Sequence, residues 1–209
     1  MIRTILFDFG GVVVTLSYQE AVRRFMEMGL TDAPEVLNPY KQTSFLGDFE
    51  SGLIGKEDFR RKLSDAVGRE LTMSDCAYCL MGFIEVTPLK NLDKIVELRN
   101  RGYRVAVLSN TNPFIMEWAK SSAFSLYGKP VGDYFDAMYL SYELHGMKPD
   151  ERVFQKVLEG EGLNAEEVLF LDDGARNIEV ASNMGFRTLL ATDSEKWITQ
   201  IEDILADDK

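Results

Sequence analysis

From residue 88 onward this 209-residue chain alternates short apolar runs with amphipathic stretches, and few folds accommodate that pattern. Helical periodicity over 89–100, from 113, over 150–159 and over 175–184 is interleaved with strand-like runs at 104–108, 137–140, 168–171 and 187–191. Nearly continuous apolar strands, each followed by a helix, predict a mostly parallel sheet flanked by helices, an α/β fold. One further apolar run, Ile5-Leu6-Phe7, stands alone near the start and needs that sheet to pair with. Between residues 16 and 86 the pattern is helical, over 18–26, 56–67 and 74–83, with no convincing strand. The expected organisation is an α/β core from residues 1–15 and 87–209, with residues 16–86 inserted as an all-helical cap.

The 45% hydrophobic content is enough for a packed core. A net charge of −11 and a pI near 4.7 argue against nucleic acid or an anionic membrane as partner. An anionic substrate would need local positive charge. No run of 18 apolar residues exists, and the first apolar run is interrupted by Asp8 and lacks a basic leader, so a cytoplasmic location is expected. Cys76 and Cys79 have the spacing of a buried helix face. With His145 the single histidine, neither a Cys/His zinc site nor a multi-histidine centre can be assembled, which points to an oxygen-ligated metal.

Asp8 ends the isolated apolar run and precedes Phe9-Gly10-Gly11. Asp before glycine is a common turn signal, and on this segment alone a turn and a functional carboxylate are equally good readings. Ligands of open α/β sheets bind at strand carboxyl ends, and glycines let the backbone approach them closely. The run 104–108 ends in Ser109-Asn110-Thr111-Asn112-Pro113, where Asn112 can cap a helix begun by Pro113. Ser109, Asn110 and that helix N-terminus could together hold a phosphate-sized anion. The run 168–171 ends in Asp172-Asp173, two like charges whose usual justification is a cation or a helix start. Magnesium, bound through Asp8, the Gly10 carbonyl and Asp173, with Asp172 as a further candidate, fits such a set. Lys148 could neutralise a phosphate, with Lys129 as its rival. Gly47, Gly52 and Gly55 suggest a loop that either meets substrate or merely connects helices.

These segments, in this order, resemble the haloacid dehalogenase superfamily over nearly the whole chain. The resemblance rests on Phe7-Asp8-Phe9-Gly10-Gly11-Val12, Leu108-Ser109-Asn110-Thr111, Lys148-Pro149, and Phe170-Leu171-Asp172-Asp173 with Asn177. It implies a Rossmann-like core, and the insertion looks like the C1 type of cap. Gly10 and the flanking motifs look most like bacterial sugar phosphatases similar to the glucose-1-phosphate phosphatase.

The resemblance implies a magnesium-dependent phosphomonoester hydrolase acting on a small phosphorylated metabolite such as a hexose 1-phosphate. Asp8 would be the nucleophile that becomes phospho-aspartate. Ser109 and Lys148 would hold the phosphate, beside Phe9, Gly10 and Asn110. Asp8, Gly10, Asp173 and Asp172 would form the metal site, and Asn177 would support it from behind. Phe49, Glu50 and Leu53 of the cap would set specificity.

One departure stands out, because many family phosphatases carry an acid/base aspartate where this chain has Gly10. Such a group contributes roughly 10²–10⁴ in rate. A sugar 1-phosphate, whose anomeric hydroxyl is comparatively acidic, would depend on it least. Two other readings stand beside this one: a 2-haloacid dehalogenase, which needs no metal, and a catalytically silent binding or regulatory protein. The oligomeric state is left open, a monomer being consistent with the pattern.

Overall fold

In the computed structural model, which describes residues 1–37, 45–193 and 196–208, the isolated N-terminal run is the central strand of the sheet. Strand β1 (Thr4–Phe7) is followed by β2 (Thr15–Leu16) and by five helices: α1 (Tyr18–Glu27), α2 (Ala33–Val36), α3 (Phe45–Glu50), α4 (Lys56–Val67) and α5 (Met73–Leu80). After β3 (Ile84–Val86) come α6 (Leu89–Asn100), β4 (Arg104–Ser109), α7 (Pro113–Ala119), β5 (Ala137–Leu140), α8 (Ser141–Leu144) and α9 (Glu151–Glu161). The chain then runs through β6 (Val168–Asp172), α10 (Ala175–Asn183), β7 (Arg187–Leu190) and α11 (Trp197–Ala206).

The sheet has the order β5-β4-β1-β6-β7 and all its pairings are parallel. Phe7 lies in register with Val107 of β4 and Leu171 of β6, so the three central strands end together at one edge. Their residues alternate between two cores. Ile5, Phe7, Val105, Val107, Leu169 and Leu171 pack against α6, α7 and α11, while Leu6, Ala106, Leu108 and Phe170 pack against α9 and α10. Both faces are covered, which is why these strands read as unbroken apolar runs.

Helices α1 to α5 gather around a separate apolar cluster that includes Phe25, Phe49, Phe59, Leu63, Cys76 and Cys79. Local sequence sets several of their ends. Thr72 and Asp75 exchange side-chain and backbone hydrogen bonds at the start of α5, and Gly68, at φ 74°, stops α4. Cys76 and Cys79 are free thiols whose burial pushes their pKa up to about 11 and about 12, as a packing role requires. Phe114 of α7 joins this cluster from the sheet side, 5.9 Å from Phe49 between ring centres.

Two expectations are corrected here. Residues 45–50, expected as part of a glycine-bearing loop, are helix α3, in which Gly47 is buried. The stretch expected to lack strands is bounded by β2 and β3, which pair antiparallel as a two-stranded ribbon where the chain leaves and rejoins the sheet. Among the described residues no helix is long and apolar enough to cross a membrane.

Phe49 is fully buried and stacked 4.5 Å from Phe59. Phe49→Ala should cost about 3–5 kcal/mol of stability, measurable as a lowered urea midpoint.

Candidate active site

Because β1, β4 and β6 are adjacent and parallel, their carboxyl ends bring Asp8, Ser109 and Asp172 to one place. Asp8 extends β1, its N–H donating to the Leu171 carbonyl at 2.8 Å. The chain then turns sharply, with Val13 and Val14 donating to the Phe9 carbonyl and Gly11 donating to Val14. None of these bonds uses the Gly10 carbonyl. Gly11 has φ 77°, and a Cβ there would lie 2.2 Å from Asp173 Oδ2, so only glycine lets that carboxylate close over the turn.

Lys148, 2% exposed, places its ammonium 2.8 Å from Asp8 Oδ1 and 2.6 Å from Asp172 Oδ2. Its backbone is fixed by Asn110, whose Oδ1 accepts from Lys148 N and whose Nδ2 donates to Lys148 O. Asp172 is wholly buried, and its Oδ1 accepts from Gly174 N at 2.7 Å and from Asn177 Nδ2 at 2.9 Å. Asp173 is exposed.

Carboxylate oxygens of Asp8, Asp172 and Asp173 lie within 4.8 Å of one another. Burial, together with Asp172 and Asp173, pushes the Asp8 carboxyl up to about 8 against the pull of Lys148. The Asp173 carboxyl is also raised, by the protein groups packed around it and by Asp172, although the residue as a whole stays exposed. Burial alone would lower Lys148, but Asp8 and Asp172 outweigh it and hold the ammonium charged. Three carboxylates share one ammonium, and that excess of negative charge on hard oxygen donors suits a divalent cation such as magnesium. The backbone carbonyl of Gly10, two residues after Asp8, can add a further oxygen donor to this set.

Each expected site residue has a definite place. Ser109 is buried at the end of β4, beside the cluster. Lys129 is exposed and takes no part. The Asn110 side chain bonds the Lys148 backbone through both its oxygen and its nitrogen, so it positions the lysine. The Phe9 ring packs against Phe124, and its N–H donates to Asp8 Oδ1 at 2.6 Å. Asn112 caps α7 as expected, but its Oδ1 accepts from Phe114 N and Ile115 N, closing the helix end that was expected to bind an anion. Phe49 is core and cannot contact substrate, whereas Leu53 is exposed and Glu50 is partly buried beside Asn112.

Two residues carry no signal in the sequence. Ser141 joins the Glu50 carbonyl to Thr111, and Leu16 lies over Gly10, where a Cβ would meet its Cδ1 at 2.8 Å.

A five-stranded parallel sheet with an aspartate and a buried lysine at its carboxyl edge, facing an acidic pair, defines the class. Residues 2–185 match the haloacid dehalogenase-like hydrolase family. The chain belongs to that family and is one of its phosphatases. It is 41% identical over 205 residues to D-ribitol-5-phosphate phosphatase of Bacteroides thetaiotaomicron, covering 98% of this chain and 99% of that one. A HAD-like family hydrolase from Porphyromonas gingivalis superposes with a TM-score of 0.93 at 38% identity, covering 98% of both chains. A HAD family enzyme of B. thetaiotaomicron, solved with magnesium and inorganic phosphate, gives a TM-score of 0.83 at 30% identity, covering 90% of this chain and 93% of that one.

Burial raises the Glu50 carboxyl to about 7, from 4.5, against a smaller opposing effect of the Asn112 amide. The folded protein therefore holds this proton more tightly than the unfolded chain does, and stability should fall as pH rises from 4.5 to about 7. Glu50→Gln should flatten that slope, as urea midpoints compared at about pH 5 and about pH 8 would show.

Proposed function

We propose that the protein is a magnesium-dependent phosphomonoesterase for a small phosphorylated polyol or sugar, working through phosphoryl transfer to Asp8 beneath a cap formed by residues 16–86. The observation that carries this is the placement of Lys148 between Asp8 and Asp172, with the exposed Asp173 alongside. Phe9 N and Lys148 both hold Asp8 Oδ1, which orients the carboxylate and leaves Oδ2 to attack phosphorus.

In the first step an Asp8 oxygen bonds to phosphorus as the bond to the leaving oxygen breaks. In the second, water attacks the acyl phosphate, releasing inorganic phosphate and restoring the carboxylate. Ser109 and Lys148 hold the phosphate oxygens, and Lys148 limits the repulsion between anionic nucleophile and anionic substrate. Asp8, the Gly10 carbonyl and Asp173 would hold magnesium, with Asp172 and Asn177 behind them, and a cation there would neutralise charge developing on the phosphoryl group.

The name of the 41% identical relative supports a polyol 5-phosphate ahead of a hexose 1-phosphate. A primary alcohol then leaves, so acidity of an anomeric hydroxyl does not compensate for the glycine at position 10. Leu16 covers that glycine, and the proton for the leaving oxygen is assigned to water. A 2-haloacid is the weaker substrate reading, because halide displacement needs no metal, whereas three acidic groups balanced by one ammonium call for a cation. Two free, buried thiols suit the reducing cytoplasm that we also propose.

Phosphate release from p-nitrophenyl phosphate and D-ribitol 5-phosphate should require added magnesium after chelation. Asp8→Asn should lower it by a factor on the order of 10³ or more. Unchanged turnover in metal-free enzyme or in Asp8→Asn would refute the scheme, and halide release from 2-haloacids would favour the dehalogenase.

A further inference from the structure

Asn91 stands where the packing of α6 asks for an apolar residue. The helix turns Leu92, Ile95 and Leu98 into the core, and position 91 shares the buried face of 95 and 98. Asn91 is nevertheless wholly buried, and its Oδ1 has no hydrogen-bond partner among the described residues. A leucine there would leave no orphaned acceptor, so packing alone does not account for the amide.

The reason lies with Nδ2, which donates to the Val12 carbonyl at 2.9 Å and to the Val13 carbonyl at 3.4 Å, far back in the chain. The same two peptide units donate at their other ends, through Val13 N and Val14 N, to the Phe9 carbonyl, each at 2.9 Å. Phe9 in turn donates its N–H to Asp8 Oδ1. Two peptide groups are therefore strung between the Asn91 amide and Phe9, and hydrogen bonds in such chains polarise one another. Val12, Val13 and Val14 are fully buried in the apolar core, so water is not at hand to replace the amide.

We infer that Asn91 is a positioning residue for Asp8, an inference that rests on the phosphatase reading above. By holding the carbonyl ends of these two peptides it fixes Phe9, and through Phe9 the orientation of the carboxylate that attacks phosphorus. It acts through the backbone, without touching the reacting atoms. Asn91 follows β3 on α6, while Val12 and Val13 precede β2, so the clasp joins the two linkers on the sheet side of the β2–β3 ribbon. The turn after Asp8 is thereby held by the core and not by the helical insertion.

Single-turnover release of p-nitrophenol from p-nitrophenyl phosphate, with magnesium and enzyme in excess, reads the attack by Asp8. Asn91→Leu should lower the maximal rate by about 10-fold or more and leave the half-saturating concentration within about two-fold, because Ser109 and Lys148, which hold the phosphate in that reading, lie outside the turn. Asn91→Asp keeps the shape, and burial holds its carboxyl protonated at about pH 5, where it donates to the same carbonyls and should restore most of the wild-type rate at that pH. A wild-type maximal rate in Asn91→Leu, or an Asn91→Asp no faster than Asn91→Leu at about pH 5, overturns the inference.

Hydrogen exchange reads the clasp without turnover. The Val13 and Val14 amides should exchange about 10-fold or more faster in Asn91→Leu than in wild type, while Leu6 and Leu171 on the central strands keep their protection. Asn91→Ala carries the same expectation should the leucine variant fail to fold. Unchanged exchange at Val13 and Val14 overturns the clasp whatever the activity, and a wild type that releases no p-nitrophenol sinks the phosphatase reading alone.

Discussion

Lys148 reaches Asp8 at 2.8 Å and Asp172 at 2.6 Å from a nearly solvent-free position, and the rest of the site is arranged around that contact. A buried ammonium with no partner would be costly, and so would either carboxylate without it. Each partner is held by a different strand end. Asp8 continues β1, Asp172 closes β6, and Asn110, just past β4, grips the Lys148 backbone from both sides. The parallel sheet therefore serves as the ruler that sets the spacing of the charged groups. One ammonium cannot balance three acids, and the remaining negative charge is what gives the site its demand for a cation.

The glycine pair after Asp8 has two separate physical meanings. Gly11 is demanded by its left-handed backbone and by the Asp173 carboxylate above it. Gly10 has no such backbone constraint; the space where a side chain would go is covered by Leu16 of the ribbon that leads into the helical insertion. The absence of an acid at position 10 is thus matched by an apolar side chain brought from β2. The helical insertion and its ribbon meet the loops at the sheet edge at two points, Leu16 over Gly10 and the Glu50 carbonyl on Ser141. Its own apolar cluster incorporates Phe114, the residue two places after Asn112, and Lys56 pairs with Glu117 on the same helix α7. The loop after β4 is consequently braced by both layers.

Much of this was legible in the residues. Strands buried on both faces leave continuous apolar runs, so β1, β4 and β6 and the polar residues at their ends could be located directly. Strong periodicity marked α1, α4 and α6, and the spacing of Cys76 and Cys79 was correctly read as packing. What escaped were features decided by contacts distant in sequence. Gly47 disguised α3 as a loop, because the packing of Leu46 and Phe49 against the other helices outweighs the weak propensity of a glycine. Strands as short as β2 and β3 are too brief to show alternation. Asn110, Asn112 and Phe9 stood in the expected places, but a sequence displays donors and acceptors without their partners, which here are the Lys148 backbone, the first turn of α7 and the Asp8 carboxylate. Ser141, one hydroxyl in an ordinary segment, showed nothing of its link between Thr111 and Glu50.

The central claim is that Asp8 itself accepts the phosphoryl group, and it can be tested by trapping. Enzyme mixed with p-nitrophenyl phosphate and magnesium, then treated with borohydride, should have an acyl phosphate at position 8 reduced to homoserine, identifiable by peptide mass spectrometry. The account predicts that conversion in turning-over wild type, and none without substrate or in Asp8→Asn. Steady turnover with position 8 unmodified and homoserine formed at another carboxylate would contradict it.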